Sequence, residues 1–441
     1  MHQGVLTDMN GRYGPINPFG KSLSEIIEED LMKLSAIPEG WFFEYKKGEQ
    51  NSKTIAKSIS SFANSYGGLY FLGIEQNPDT NTAKGVCGVD SSPNIIHDSL
   101  RDNLQPFPHF ISYPILLKNG RKVIMVEVPE GKYPPYIHSD GKIYRRQEAA
   151  SDPISENNRH TIDLLYSKSR ENMNRIENFR QIDCCFSASE KTPHIAIFIN
   201  TVPFQTFKID DLISGDRYKA LLDFFNKSIE IEDEFEGQKM SLSGTFSYDT
   251  VNSIHNGIIL RQMHGNNLGY NGVSIEIDVH GNAKIIVPTA SALLNASENP
   301  KTDDHYIQVM QKYDLDSIDS MFFIDPKSFW TIIAMLNKYF NFLLSCDYKN
   351  EVEIKIKLIN AWRTTIYSAS KVFREHISQF GIPVCMRDEQ YFPSKPFIIN
   401  NKELATRKFL GPLMVVSSIM CALGIPINTA VSIITDYYRP K

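Results

Sequence analysis

A chain of 441 residues with 42% hydrophobic and 22% charged residues is too long for one ordinary core, which predicts two or three globular domains and excludes a disordered or fibrous protein. A net charge of −5 excludes a large basic face, so any nucleic-acid site must be a local cationic patch. Six cysteines, with Cys184 and Cys185 adjacent and no CxxC or other ligand spacing, exclude a thiolate metal centre and predict a reducing, cytoplasmic setting. The opening MHQGVLTDMNGRYG lacks a basic stretch followed by an apolar core, so no secretion signal is expected.

Residues 1–20, rich in Gly, Asn and Pro, predict a loosely held arm. From Ser22 to Ser35, Leu23, Ile26, Ile27, Leu31 and Leu34 recur at helical spacing and predict an amphipathic helix. Phe42 to Lys47 alternates as a strand. Asn51 or Ser52 then stands where a helix needs its cap, before an apolar face of Ile55, Ala56, Ile59, Phe62 and Ala63. Gly67-Gly68 turns the chain into a second strand, Leu69 to Glu75. A helix is expected around Ile95 to Leu104. Asn119-Gly120, between Ile111–Leu117 and Lys122–Val128, is a hairpin signal. Ser139-Asp140-Gly141 leads into a strand around Ile143 to Gln147.

These elements predict an α+β unit over 21–153: a mixed sheet with flanking helices. Residues 154–186 read as a long polar helical connector with Leu164, Leu165 and Ile176 as sparse apolar points. Residues 187–441 predict a second α+β domain with a helix-rich C-terminus. It opens with a strand from His194 to Asn200 and a helix from Asp210 to Phe225, followed by strands around Ile258, Val273 and Ala283. Asp325-Pro326 opens a helix running to about Leu344. Its Phe329, Trp330, Ile333, Leu336, Tyr339, Phe340 and Leu343 predict either a private core or a subunit contact. No charged side chain occurs from Phe409 to Thr435, but Gly411-Pro412 and Gly424-Ile425-Pro426 interrupt that stretch. Two buried helices joined by a Gly-Ile-Pro turn are expected there, not a membrane span.

The chemistry concentrates between Glu39 and Glu75. Side chains two apart on a strand share a face, so Glu44 and Lys46 point together while Phe43, Tyr45 and Lys47 point the other way. Glu39 stands five residues before Glu44, and Glu75 ends the neighbouring predicted strand. Pairing of the two strands would put Glu44 and Glu75 on adjacent strands. Carboxylate oxygens suit magnesium or manganese, and such an ion polarises a phosphoryl oxygen and acidifies bound water or a ribose hydroxyl. Lys46 would hold the scissile phosphate. The plainer reading is a solvated sheet face, with Glu39 and Glu75 at element ends where acids are commonplace. Lys47, Lys53, Lys57, Arg145 and Arg146 are phosphate-contact candidates or ordinary surface cations. Tyr133, Tyr136 and Tyr144 are base-stacking candidates or core.

The string EGWFFEYKKG, followed by SFANSYGGLYFLGIE and later by PPYIHSDGKIYRRQEAAS, resembles the Schlafen/AlbA-type domain over about residues 22–165. That family carries a Glu five residues ahead of a Glu-aromatic-Lys strand. Phe-Ala-Asn with a Gly-Gly turn follows, then a strand ending Gly-hydrophobic-acidic, and a late Tyr-x-Arg strand. The resemblance implies, for its endoribonuclease members, a three-acid metal site that cleaves tRNA and rRNA. By motif position those acids are Glu39, Glu44 and Glu75, with Arg146 as the late-strand arginine. Glu75 replaces an aspartate, Tyr45 a phenylalanine, and Gln147-Glu148 a hydrophobic-Gly pair.

Elsewhere, GNNLGYNG (265–272) lacks the Lys-Ser/Thr of a phosphate loop, His255 and His264 do not form a ligand pair, and no GxSxG occurs. Two functions therefore compete. The first is a metal-dependent endoribonuclease acting on tRNA, rRNA or single-stranded DNA. In it Glu39, Glu44 and Glu75 hold Mg or Mn, and Lys46 completes the catalytic set. It would serve as a defence effector whose second domain senses a trigger, selects substrate or forms a homo-oligomer. The alternative is a non-catalytic DNA- or RNA-binding regulator. A protein–protein adaptor is the third reading.

Overall fold

The alternating stretch at 42–47 and the apolar run at 68–72 become one half of a four-stranded sheet. In this computed structural model, residues 17–147, 150–180, 193–202, 209, 211–235, 237–262, 273–289, 303–313, 322–324, 326–348 and 350–438 are described. The chain divides into two compact units with the boundary after residue 181.

In the first unit, β1 (Phe43–Lys46) runs parallel to β2 (Gly68–Leu72), joined by α1 (Ser52–Ala63). Next come β3 (Ile74–Gln76), β4 (Ala83–Val86), α2 (Asn94–Asn103), β5 (Leu104–Gln105), β6 (Ile111–Leu116) and β7 (Lys122–Val128). β8 (Ile137–His138), β9 (Tyr144–Gln147), β10 (Ala150–Ser155) and α3 (Arg159–Phe179) complete the unit. The sheet order is β1-β2-β7-β6, with β7 antiparallel to both neighbours. The edge strand β6 carries Pro114, which removes one ladder donor from an edge that would otherwise invite pairing.

Both faces of this sheet are covered. Tyr70, Leu72, Ile124 and Val126 meet Ile55, Ile59 and Phe62 of α1 on one side. Phe43, Tyr45, Leu69, Phe71, Val123 and Met125 meet Leu31 and Leu34 on the other. Every side chain of β2 is buried, so it reads as a continuous apolar run. The segment expected as an amphipathic helix at 22–35 instead forms two 3₁₀ stretches, Leu23–Glu25 and Glu28–Ala36. Ile26 is extended between them, and the three-residue spacing of Leu31 and Leu34 suits a three-residue turn. Asn51 caps α1 as its position predicts, accepting from Thr54 N at 2.8 Å.

The second unit is built on a seven-stranded sheet in the order 250–254, 257–261, 274–278, 283–288, 194–202, 351–359, 390–400, every neighbouring pair antiparallel. The helix Pro326–Ser345 packs on it through Phe329, Ile333, Leu336, Tyr339, Phe340 and Leu343, so these residues serve the unit's own core. The helix expected from Asp210 is confined to Tyr218–Asn226, and the stretch before it contains Gly215 at φ 83°. Leu410–Ala422 and Ile427–Tyr438 are two helices joined across Gly424, at φ 92°. Among the described residues, no helix is long and apolar enough to cross a membrane. Cys87, Cys346, Cys385 and Cys421 are free thiols. Cys184, Cys185, His264, the turn at 265–272, Asp325 and residues 1–16 of the predicted arm lie outside the described residues.

Candidate nucleic-acid interface and its buried ion pair

Glu44 sits on the α1 face of the edge strand β1, and its side chain is 1% exposed. A buried carboxylate without partners would cost several kcal/mol, so its neighbours decide whether the fold tolerates it. They are three. The Ser58 hydroxyl donates to Oε1 at 2.7 Å, the Lys46 ammonium lies 2.9 Å from Oε1, and Arg146 Nη1 donates to Oε2 at 2.8 Å. Burial alone would lower the Lys46 ammonium; the Glu44 and Glu39 carboxylates outweigh it and hold Lys46 above its ordinary range.

Arg146 is fully buried and braces three elements. Its Nε donates to Gly40 O at 2.7 Å, its Nη2 to Phe43 O at 3.1 Å, and its guanidinium lies 4.8 Å over the Phe62 ring of α1. Its backbone N–H donates to the Ser65 hydroxyl at 3.0 Å. Asn64 sets the strand that delivers it. The Asn64 amide donates to Tyr136 O at 2.9 Å and Tyr144 O at 3.0 Å, while its oxygen accepts from Tyr136 N at 2.7 Å. Asn64 is therefore a clamp between α1 and β8–β9, beyond the helix-end role its position suggests. Gly67-Gly68 permits the close approach beneath it: a Cβ on Gly68 would lie 2.3 Å from the Phe62 ring.

Glu39 lies near Glu44 but keeps its own partners. Its Oε1 accepts from Tyr45 N at 2.5 Å and its Oε2 from the Gln76 amide at 2.7 Å. Burial pushes its carboxyl up to about 7, against the Tyr45 hydrogen bond and the Lys46 charge.

Glu75 does not join them, and the reason is local. The strand expected to run from Leu69 to Glu75 breaks at Gly73, whose φ is 105°, with β2 ending at Leu72. A Cβ there would lie 2.9 Å from Gly88 Cα. Gly73 O accepts from both Cys87 N and Gly88 N at 2.8 Å, which sends Ile74–Gln76 into a hairpin with β4. Glu75 ends half-buried, 3.0 Å from the exposed Lys47 on the opposite side of β1 from Lys46. That hydrogen bond holds its carboxyl below the usual range. Among the described residues, no three His, Cys, Asp or Glu side chains converge as a metal-ligand set. The donor set does not suit a divalent cation: Glu44 already faces two cations, and Glu75 is spent on a third.

The cationic candidates divide the same way. Lys46, Lys47, Arg145 and Arg146 pair with Glu44, Glu75, Glu156 and Glu44 respectively. Lys53 is exposed and Lys57 half-buried on the first turns of α1, and both line a pocket beside β9. Tyr136 and Tyr144 are 3% and 8% exposed and serve packing, whereas Tyr133 is 39% exposed. The sequence does not single out Ser58, and it places Asn64 only at the helix end, as a cap or turn and the last residue of Phe-Ala-Asn. Their signal is two polar residues on the buried side of an amphipathic helix.

Residues 39–155 match the family model described as Schlafen, AlbA_2. Among solved structures, the chain is similar to the N-terminal domain of a RecG-related protein from Nitrosomonas europaea. The two are 20% identical over 30% of this chain and 93% of that one, with a TM-score of 0.23. It is also similar to the DIP2311 protein from Corynebacterium diphtheriae, 14% identical over 29% of this chain and 25% of that one, with a TM-score of 0.21. No curated protein matches the chain. The Glu-aromatic-Lys strand, the Asn64 clamp, the paired glycines and the late-strand Arg146 thus fall within one stretch, 39–155, and that stretch is a Schlafen/AlbA-type domain.

Proposed function

We propose that the 39–155 domain binds nucleic acid through its phosphates and does not cut it. The observation that carries this reading is the state of Glu44. Its carboxylate is buried and engaged by Arg146, Lys46 and Ser58, so it acts as a strut that fixes β9 against β1. The domain type supports a nucleic-acid role. The cations of α1 that lie outside ion pairs, Lys53 and Lys57, support contact with the phosphate backbone. A magnesium- or manganese-dependent endoribonuclease is the rival. It requires Glu39, Glu44 and Glu75 to leave their present partners and converge.

The test is direct. Full-length protein is incubated with total tRNA, rRNA and single-stranded DNA, with and without manganese, and both binding and products are followed. Binding without metal, falling steeply with salt and leaving the strands intact, is the expected result. Metal-dependent products that vanish in Glu75→Gln would overturn it. Glu75 is the cleaner probe because its exposed pair contributes nothing to the brace around Glu44.

A further inference from the structure

The pocket beside β9 has a composition that the general reading leaves unused. It is an open groove of about 660 Å³, and its walls include Ser52, Lys53, Lys57, His138, Asp140 and Tyr144. Neither Lys53 nor Lys57 has a carboxylate partner among the described residues, in contrast to Lys46, Lys47, Arg145 and Arg146. The two lysines are one helical turn apart, so their ammonium groups reach the same space. Lys57 is held in place, its Nζ 5.2 Å over the Tyr144 ring.

The opposite wall is rigid and largely self-satisfied. The Asp140 carboxylate accepts from the Tyr144 hydroxyl at 2.6 Å and from Lys142 N at 3.1 Å, and lies 2.8 Å from the His138 ring. His138 in turn is 3.1 Å from Lys53 O, which ties this wall to the start of α1. Two unpaired ammonium groups thus face one carboxylate already engaged by three partners. The net charge of these three groups is about +1, which attracts an anion, and two ammonium donors one turn apart suit the three terminal oxygens of a phosphate monoester better than the two of a phosphodiester.

We infer that this pocket receives the phosphate monoester of a nucleotide, either free or at the end of a nucleic-acid strand. The inference rests on the nucleic-acid reading above for its biological source, and on the pocket alone for its chemistry.

The experiment uses the full chain and two pairs of probes. One pair is a short single-stranded oligonucleotide with a terminal phosphate, at the 5′ or the 3′ end, and the same strand with hydroxyl ends. The other pair is adenosine monophosphate and adenosine. The phosphorylated member of at least one pair is expected to bind about tenfold tighter, the size of one or two charge-assisted hydrogen bonds. The preference should vanish in the Lys53→Gln/Lys57→Met variant, which keeps both aliphatic stems. Circular dichroism confirms that the variant is folded, and Lys53→Gln alone serves as a milder second variant. A preference in the nucleotide pair only assigns the pocket to free nucleotide. Nucleotide binding without any oligonucleotide binding keeps the pocket and defeats the nucleic-acid reading. Equal binding within both pairs, or a preference that survives in both variants, overturns the inference.

Discussion

The β1 edge and the β3–β4 hairpin each carry a glutamate that the Schlafen/AlbA resemblance implies for one metal site, yet they hold it in opposite states. Glu44 is sealed between α1 and β9 with two cations and a hydroxyl. Glu75, beyond the Gly73 bend, meets water and one mobile-stemmed lysine. A carboxylate's role follows from its surroundings. The same side chain is a structural strut where desolvation makes its partners obligatory, and an incidental surface pair where water competes with them.

The largest effect should come from breaking the strut. Arg146→Met leaves Glu44 buried with Lys46 as its remaining cation, and a loss of about 3–5 kcal/mol in urea unfolding is expected. Glu44→Leu combined with Arg146→Met should recover much of that loss, because the double change removes the uncompensated charge. Two additive losses would mean that the pair is not a coupled unit.

The bend comes next. Gly73→Ala places a side chain at φ 105° against Gly88 Cα, and should cost about 1–3 kcal/mol. Unchanged stability would show that the β3–β4 hairpin leaves the sheet for another reason.

A smaller effect is the pH dependence that Glu39 imposes. Its carboxyl is raised from 4.5 to about 7 in the folded protein, so the native state holds this proton more tightly than the unfolded chain does. That contribution is complete below the unfolded value and is lost as pH rises through about 7. Denaturation midpoints should therefore fall across this window, and Glu39→Gln should flatten the slope. An equally steep slope in the variant would assign the titration to another group.

The smallest change belongs to the hairpin. Lys47→Ala and Glu75→Gln should each leave the melting temperature within measurement error. A clear drop in either would erase the contrast between the two glutamates.

Much of the first unit was legible in the chain. The Asn51 cap, the Asn119-Gly120 hairpin and the sharing of one face by Glu44 and Lys46 follow from local rules, and the structure holds each of them. The strand Glu351–Ile359 shows clean alternation, with Val352, Ile354, Ile356 and Leu358 buried, and the sequence reading passed it over. The Glu75 placement failed for a different reason. A continuous apolar run gives no sign that Gly73 will take a left-handed backbone, because that choice depends on Gly88, fifteen residues on and unrelated in pattern. Asn64 was equally opaque: its partners, Tyr136 and Tyr144, lie far along the chain.

From its residues alone this protein is an α+β chain with a Schlafen/AlbA-type N-terminal domain, an internal apolar C-terminal helix pair and local cations instead of a basic face. Periodicity, caps and turn residues act over a few positions, and they suffice for that much. Which acids meet, which lysines stay unpaired and which carboxylate is buried were decided by tertiary contacts. Those depend on desolvation and on partners tens of residues apart, such as Arg146 reaching Glu44 across β9 and β1.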